Sequence, residues 1–122
     1  MRRALFLAAM VFLAVPPAKV QDPVKDAKHI KVEFENDQVR VLRYRYEPGE
    51  NSNMHNHPNN VQILLTDTDN KITTPDGKTT ETHGKAGEVR WRPATTHMVE
   101  NIGGKPFEGI LVELKGKPAA AK

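Results

Sequence analysis

Three histidines carry the chemistry that this sequence can support. His55 and His57 are separated by one residue, and His97 follows further along the chain. On a β-strand, residues i and i+2 point to the same face, so two imidazoles at this spacing stand side by side. Imidazole is a common ligand of transition metals, and the pair can converge on one ion. The spacing predicts a metal site, while the polar segment 50–60 also permits an exposed His-x-His in a loop.

The sequence contains no cysteine. This absence excludes a disulfide framework, thiolate metal ligands and a cysteine nucleophile. Any metal ion must therefore be held by nitrogen and oxygen ligands.

The elements that position the histidines are predicted to be strands. From Ile30 onward apolar and polar residues alternate, and no stretch keeps a helical period for three turns. Alternation over 38–47 places Leu42, Tyr44 and Tyr46 on one face. Further strands are predicted over 61–66, 71–74, 78–83, 88–92, 97–101 and Phe107–Leu114, the 71–74 and 78–83 pair being joined by a Pro75-Asp76-Gly77 turn. Many short strands in one small domain favour an all-β sandwich or barrel over residues 30–114.

The N-terminal segment 1–18 has the layout of a secretory signal peptide. Arg2 and Arg3 precede the uncharged apolar run 4–15, which ends before Pro16. The run is shorter than the ~20 apolar residues that a membrane span needs. We expect cleavage near Ala18 and export to the periplasm or beyond the cell, with an uncleaved anchor as the alternative. Residues 19–29 are then expected to be a linker, and residues 115–122 a disordered tail.

The net positive charge of the chain comes from its first 21 residues, which include the leader. The sequence has 18 Lys and Arg against 15 Asp and Glu, and residues 1–21 contain three of the basic residues and no acidic one. The remainder has 15 of each and shows no electrostatic footprint for nucleic acid. We therefore expect no nucleic-acid partner, and the shortness of the apolar run leads us to expect no stable membrane span in the mature protein.

The surroundings of the paired histidines resemble the first motif of the cupin superfamily. That motif is a Gly, five residues, His-x-His, three or four residues, and a Glu. Here Gly49 is followed after five residues by His55-Asn56-His57 and, after four more, by Gln62. The resemblance therefore places Gln62 where the family carries its glutamate.

The surroundings of the third histidine resemble the second cupin motif, which is a Gly, five residues, Pro-x-Gly, two residues, His, three residues and Asn. Here Gly87 is followed after five residues by Pro93, then by His97 and, after three residues, by Asn101. The segment between Pro93 and His97 is one residue short, and the second Gly is absent. The resemblance spans residues 49–101 and is closest to small single-domain cupins.

The resemblance implies an all-β jelly-roll, a double-stranded β-helix barrel over residues 30–114, whose partner is a small-molecule ligand or substrate. It also implies one divalent transition metal ion, Fe, Zn, Cu or Ni, at His55, His57 and His97. Gln62 would ligate weakly or contact a bound ligand. Such a site looks like the three-histidine cupins, which include Fe(II) dioxygenases acting on small organic molecules. A non-catalytic metal or small-ligand binding module, and a structural protein with an empty site, are the alternatives. Cupins often pair through their sheets, so a homodimer is also expected.

Other residues near the motifs are weaker candidates. Asn101 is expected beside the site, and Trp91 either at the pocket mouth or in the core. Arg90 and Arg92 share the face opposite Trp91, where they either bind an anionic substrate or are solvated. The two remaining histidines, His29 in the linker and His83 at a hairpin end, are expected to be exposed.

Overall fold

The computed structural model describes residues 19–116. The predicted signal peptide 1–18 and most of the predicted tail, 117–122, lie outside the described residues. Within 19–116, no helix is long and apolar enough to cross a membrane.

The described chain forms nine antiparallel strands in two sheets. The five-stranded sheet has the order β1-β2-β9-β4-β7, and the four-stranded sheet the order β3-β8-β5-β6. The strands are β1 Ile30–Glu35, β2 Val39–Tyr46, β3 His55–His57, β4 Asn60–Leu64, β5 Thr68–Thr73, β6 Thr79–Gly84, β7 Val89–Arg92, β8 Thr95–Asn101 and β9 Phe107–Leu114. The predicted all-β jelly roll is confirmed by this architecture.

The turn between β5 and β6 is the one that the sequence predicts. Gly77 adopts a φ of +84°, a left-handed conformation that favours glycine over residues with a side chain. The backbone amide of Thr74 donates to the carbonyl of Lys78 at 2.9 Å and closes the turn. The two strands therefore form a hairpin over Thr68–Gly84.

The apolar core fills the space on the inner face of the five-stranded sheet. It is formed by Ile30, Leu42, Tyr44, Tyr46, Phe107 and Leu111. Gly109 pairs with Tyr44 across β9 and β2, and a Cβ atom at Gly109 would lie only 2.1 Å from the Tyr44 hydroxyl oxygen. The missing side chain of Gly109 therefore makes room for the Tyr44 ring to lie across β9 into the interior.

The segment predicted as a linker is part of the packed structure. Residues Pro23–Lys25 form a short 3-10 helix, and the Pro23 side chain is buried. Gln21 forms a parallel bridge with His55, its backbone amide donating to Met54 and its carbonyl accepting from Asn56. This segment therefore lies along the outer edge of β3.

Candidate metal centre

The three predicted histidines are brought together by neighbouring strands of the four-stranded sheet. His55 and His57 are on β3, and His97 on β8 lies directly opposite His55 in the antiparallel register. Their ligand nitrogens all lie within 4.8 Å of one another. The three residues are only 3%, 6% and 8% exposed. Three buried imidazoles at this separation offer a nitrogen donor set that fits one borderline transition metal ion.

The protonation state of the cluster also suits a metal. Burial, together with the neighbouring His57, lowers the pKa of His55 to about 4. Burial and the other two histidines lower the pKa of His97 to about 3. Both imidazoles are therefore neutral at pH 7, which is the form that binds metal ions.

The orientation of His57 is set by a buried carboxylate. Its Nδ1 lies 2.5 Å from Oε2 of Glu113, which is 1% exposed and on β9 of the facing sheet. The other oxygen of Glu113 accepts from Nε and Nη2 of Arg40, both at 2.7 Å. The carboxylate accepts a hydrogen bond from Nδ1–H of His57, so Nε2 of His57 is left free for a metal ion. Carboxylates hold metal-binding histidines in this way in many proteins.

A cavity of about 50 Å³ lies between the histidines and the facing sheet. Its apolar lining includes Leu64, Val99, Phe107 and Leu111, and its polar lining includes Asn60, Gln62, Arg90 and Arg92. The volume accommodates a few water molecules or a small ligand beside the histidines.

Comparisons with known structures agree with this architecture. No protein-family model and no curated protein sequence matches the chain. A cupin domain from Bordetella pertussis Tohama I superimposes with a TM-score of 0.66 at 26% identity, over 71% of this chain and 92% of that chain. The chain belongs to the cupin superfamily.

Two further cupin-like structures share the fold at lower identity. An RmlC-like cupin with a double-stranded β-helix from Methanocaldococcus jannaschii has a TM-score of 0.54 at 22% identity, covering 75% of this chain and 84% of that chain. The polyketide cyclase RemF from Streptomyces resistomycificus has a TM-score of 0.52 at 18% identity, covering 73% of this chain and 66% of that chain. At these identities the similarity concerns the fold alone.

Gln62 of this cupin points into the cavity from β4, on the wall facing the histidines. Its amide nitrogen donates to the hydroxyl oxygen of Tyr44 at 3.0 Å, and its Oε1 is buried without a hydrogen-bond partner. Burial raises the pKa of Tyr44 to about 12, so the phenol keeps its proton at pH 7. Gln62 therefore belongs to the cavity wall, and its role as a metal ligand stays a prediction.

Two other predicted site residues lie away from the cavity lining. Asn101 is buried, but its side chain binds the carbonyls of Tyr46 and Lys105 and the amide of Gly103, so it holds the loop after β8. Trp91 is 58% exposed and pairs with Val61 on the outer face of β7 and β4. The prediction of Trp91 in the core or at the pocket mouth is wrong, because alternation along β7 turns Arg90 and Arg92 inward instead.

The two histidines outside the cluster differ from each other. His83 is exposed, as predicted, and pairs with Asp69 at 2.6 Å. His29, predicted to be solvated, has a side chain only 9% exposed that stacks on Tyr46 and lies between Asp26 and Glu50. Neither residue belongs to the three-histidine cluster, and each places its Nδ1 against a carboxylate instead.

Glu113 is the residue of this site that sequence reasoning missed. Alternation over β9 places Glu113 on the same face as Phe107 and Leu111, which are core residues. An acidic residue at a core position of an alternating strand needs a buried partner, which was the available signal.

Substitution Glu113→Gln is expected to weaken metal binding by about 10- to 100-fold, because it removes the carboxylate that orients His57. Glu108→Gln is a matched control, since Glu108 is also on β9 and also pairs with an arginine of β2, but on the outer face. Titration of both folded variants with Zn²⁺ measures the effect. Equal affinities in the two variants would contradict a role for Glu113 at the metal centre.

The metal-free cupin is expected to lose stability as the pH falls from about 6.5. The pKa values of His55 and His97 are lower in the folded than in the unfolded state, so acid protonates the unfolded chain first. The free energy of unfolding should fall by about 1.4 kcal/mol per pH unit for each histidine, until the folded pKa is reached. Denaturant unfolding between pH 7 and 4 measures this free energy for wild type and His97→Asn. We expect it to depend less steeply on pH in the variant. The same pH dependence in both proteins would contradict the lowered pKa of His97.

Proposed function

We propose that this protein is an exported cupin that binds one divalent transition metal ion through His55, His57 and His97. The observation that carries the proposal is the convergence of three buried imidazoles at one side of an internal cavity. The leader-like segment 1–18 supports export.

The finer proposal is a mononuclear dioxygenase acting on a small organic molecule. Three protein ligands leave coordination positions for further ligands on the ion. A redox-active ion such as Fe(II) would supply chemistry with O₂ at these positions. The resemblance to three-histidine cupins supports this class.

The residues around the cavity favour chemistry that needs no protein base. The lining contains no carboxylate among residues 19–116, and Glu113 behind it already binds Arg40 and His57. Tyr44 stays protonated because of its raised pKa. Gln62 cannot accept a proton at neutral pH. The chain can therefore orient a ligand and exclude water with its apolar residues, but it offers no free general base for hydrolysis.

The small volume of the cavity supports the alternative, a non-catalytic module for a metal ion or a small ligand. About 50 Å³ leaves little space for a large substrate in the described conformation. The fold itself does not decide between the two classes, because one fold hosts many unrelated functions.

Metal content of the protein purified without a polyhistidine tag tests the first part of the proposal. We expect about one transition metal ion per chain in wild type and at least a tenfold loss of metal affinity in His57→Ala, because one of three ligands is removed. His83→Ala is the control, because His83 is exposed and pairs with Asp69 outside the cluster. Equal losses in both variants, or no metal uptake by wild type, would contradict the site.

Oxygen consumption separates the enzyme from the binding module. The protein loaded anaerobically with Fe(II) should consume O₂ only when a suitable small organic molecule is added, and His57→Ala should abolish this consumption. A panel of small organic acids and their neutral amides is the first choice of substrate. Stoichiometric metal binding with no substrate-dependent O₂ uptake would favour the non-catalytic module.

A further inference from the structure

Arg92 is a half-buried cation in the cavity lining. Arg92 lines the same cavity as His97 on the facing sheet and Tyr44 on its own sheet. Its positive charge adds to the effect of burial in lowering the pKa of His97. Within residues 19–116, Arg92 makes no side-chain hydrogen bond and no ion pair, and burial together with the neighbouring Arg90 lowers the pKa of its guanidinium. A half-buried guanidinium is unusual when none of its five N–H donors has an accepting partner in the protein.

Arg90, the other arginine in the lining, is fully engaged. Its Nε and Nη2 donate to Oε2 of Glu88 at 3.0 and 2.6 Å, and Nη2 also donates to the carbonyl of His83 at 2.8 Å. The two arginines lie on the same face of β7, yet only one has protein partners. The lack of a partner is therefore specific to Arg92 and is not shared by both inward-facing arginines of β7.

The strand register explains why no protein carboxylate reaches Arg92. Asn60 on β4 pairs with Arg92 on β7 and with Glu113 on β9. Asn60 donates its amide to the carbonyl of Pro58 at 2.9 Å, and its buried Oδ1 has no partner. Glu113, the nearest acid along this row, already binds Arg40 and His57. The wall therefore carries one uncompensated positive charge.

A bound metal ion would increase this imbalance, because three neutral histidines leave its charge uncompensated. Burying a cation without a partner is costly, so the cavity favours an anionic ligand. The planar guanidinium matches a carboxylate with two parallel hydrogen bonds. One free guanidinium and a cavity of about 50 Å³ suit a small monocarboxylate better than a phosphate, which carries more charge.

We propose that Arg92 binds the carboxylate of a small organic acid whose other end lies against the three-histidine centre. This inference rests on the proposed metal function for the position of that other end, while the contact with Arg92 does not require the metal. Arg92 is thus a specificity-determining residue that selects acids over neutral molecules of the same shape.

Titration with propionate, followed by NMR of the Zn²⁺-loaded and the metal-free protein, tests the proposal. Propionamide, which has nearly the same shape without the charge, is the matched ligand. We expect propionate to bind at least tenfold more tightly than propionamide, and Arg92→Gln to remove that difference. Arg45→Gln is the control, because Arg45 is 51% exposed on the outer face of β2 and binds Glu47.

Several outcomes would overturn the inference. These are equal binding of propionate and propionamide to wild type, equal effects of the Arg92 and Arg45 variants, and tighter binding of inorganic phosphate than of propionate. Binding of propionate that depends on Arg92 in a protein that takes up no metal would support the subsite and refute the metal function. Metal uptake without Arg92-dependent binding of propionate would support the metal function and refute the subsite.

Thermal unfolding without ligand gives an independent readout. Arg92→Met should raise the melting temperature, because it removes an unpaired, half-buried charge. Arg90→Met should lower it, because it leaves Glu88 without its partner. A lower melting temperature for Arg92→Met would show that Arg92 stabilises the fold and would count against a role reserved for ligand.

Discussion

The buried carboxylate of Glu113 is the interaction on which the site depends. It joins β9 of the five-stranded sheet to His57 on β3 of the four-stranded sheet, and Arg40 on β2 neutralises its charge. Arg40 also binds Asp22 in the N-terminal segment at 3.1 Å. One chain of ion pairs and hydrogen bonds therefore fixes both sheets, the segment before β1 and the ring of a candidate metal ligand. Because every member has a partner, the cost of burying these charges is offset locally.

The pairing of Glu113 with Arg40 and His57 also determines which charges remain in the cavity. Glu113 is occupied behind His57, and position 62 carries an amide. The lining therefore holds three imidazoles on one wall and the unpaired guanidinium of Arg92 on the other. A carboxylate at position 62 would lie opposite Arg90 in the β4–β7 register and add negative charge to this wall. The glutamine leaves that charge to a ligand, so the departure from the cupin motif and the unpaired arginine have one electrostatic explanation.

Local patterns in the sequence predicted the parts that depend on local geometry. The spacing of His55 and His57 and the alternation along the strands follow from the two-residue repeat of β-structure. The approach of His97 came from the cupin resemblance, since nothing local relates strands forty residues apart. The contact between Glu113 and His57 depends on how two strands of different sheets are placed against each other, and no local sequence pattern predicts that placement. Trp91 was misplaced because apolar and long basic residues alternate on β7, and an aromatic ring was a better core candidate than two arginines.

The bridge between Gln21 and His55 has a consequence for where this domain begins. β3 is the outermost strand of its sheet, and among residues 19–116 only the segment around Gln21 bridges to its free side. A protein trimmed to start at Ile30, where the strand pattern starts, would expose unpaired amides and carbonyls beside two metal ligands. Such an open edge invites pairing with other chains and aggregation. The segment around Gln21 therefore shields the strand that carries His55 and His57 from pairing with another chain.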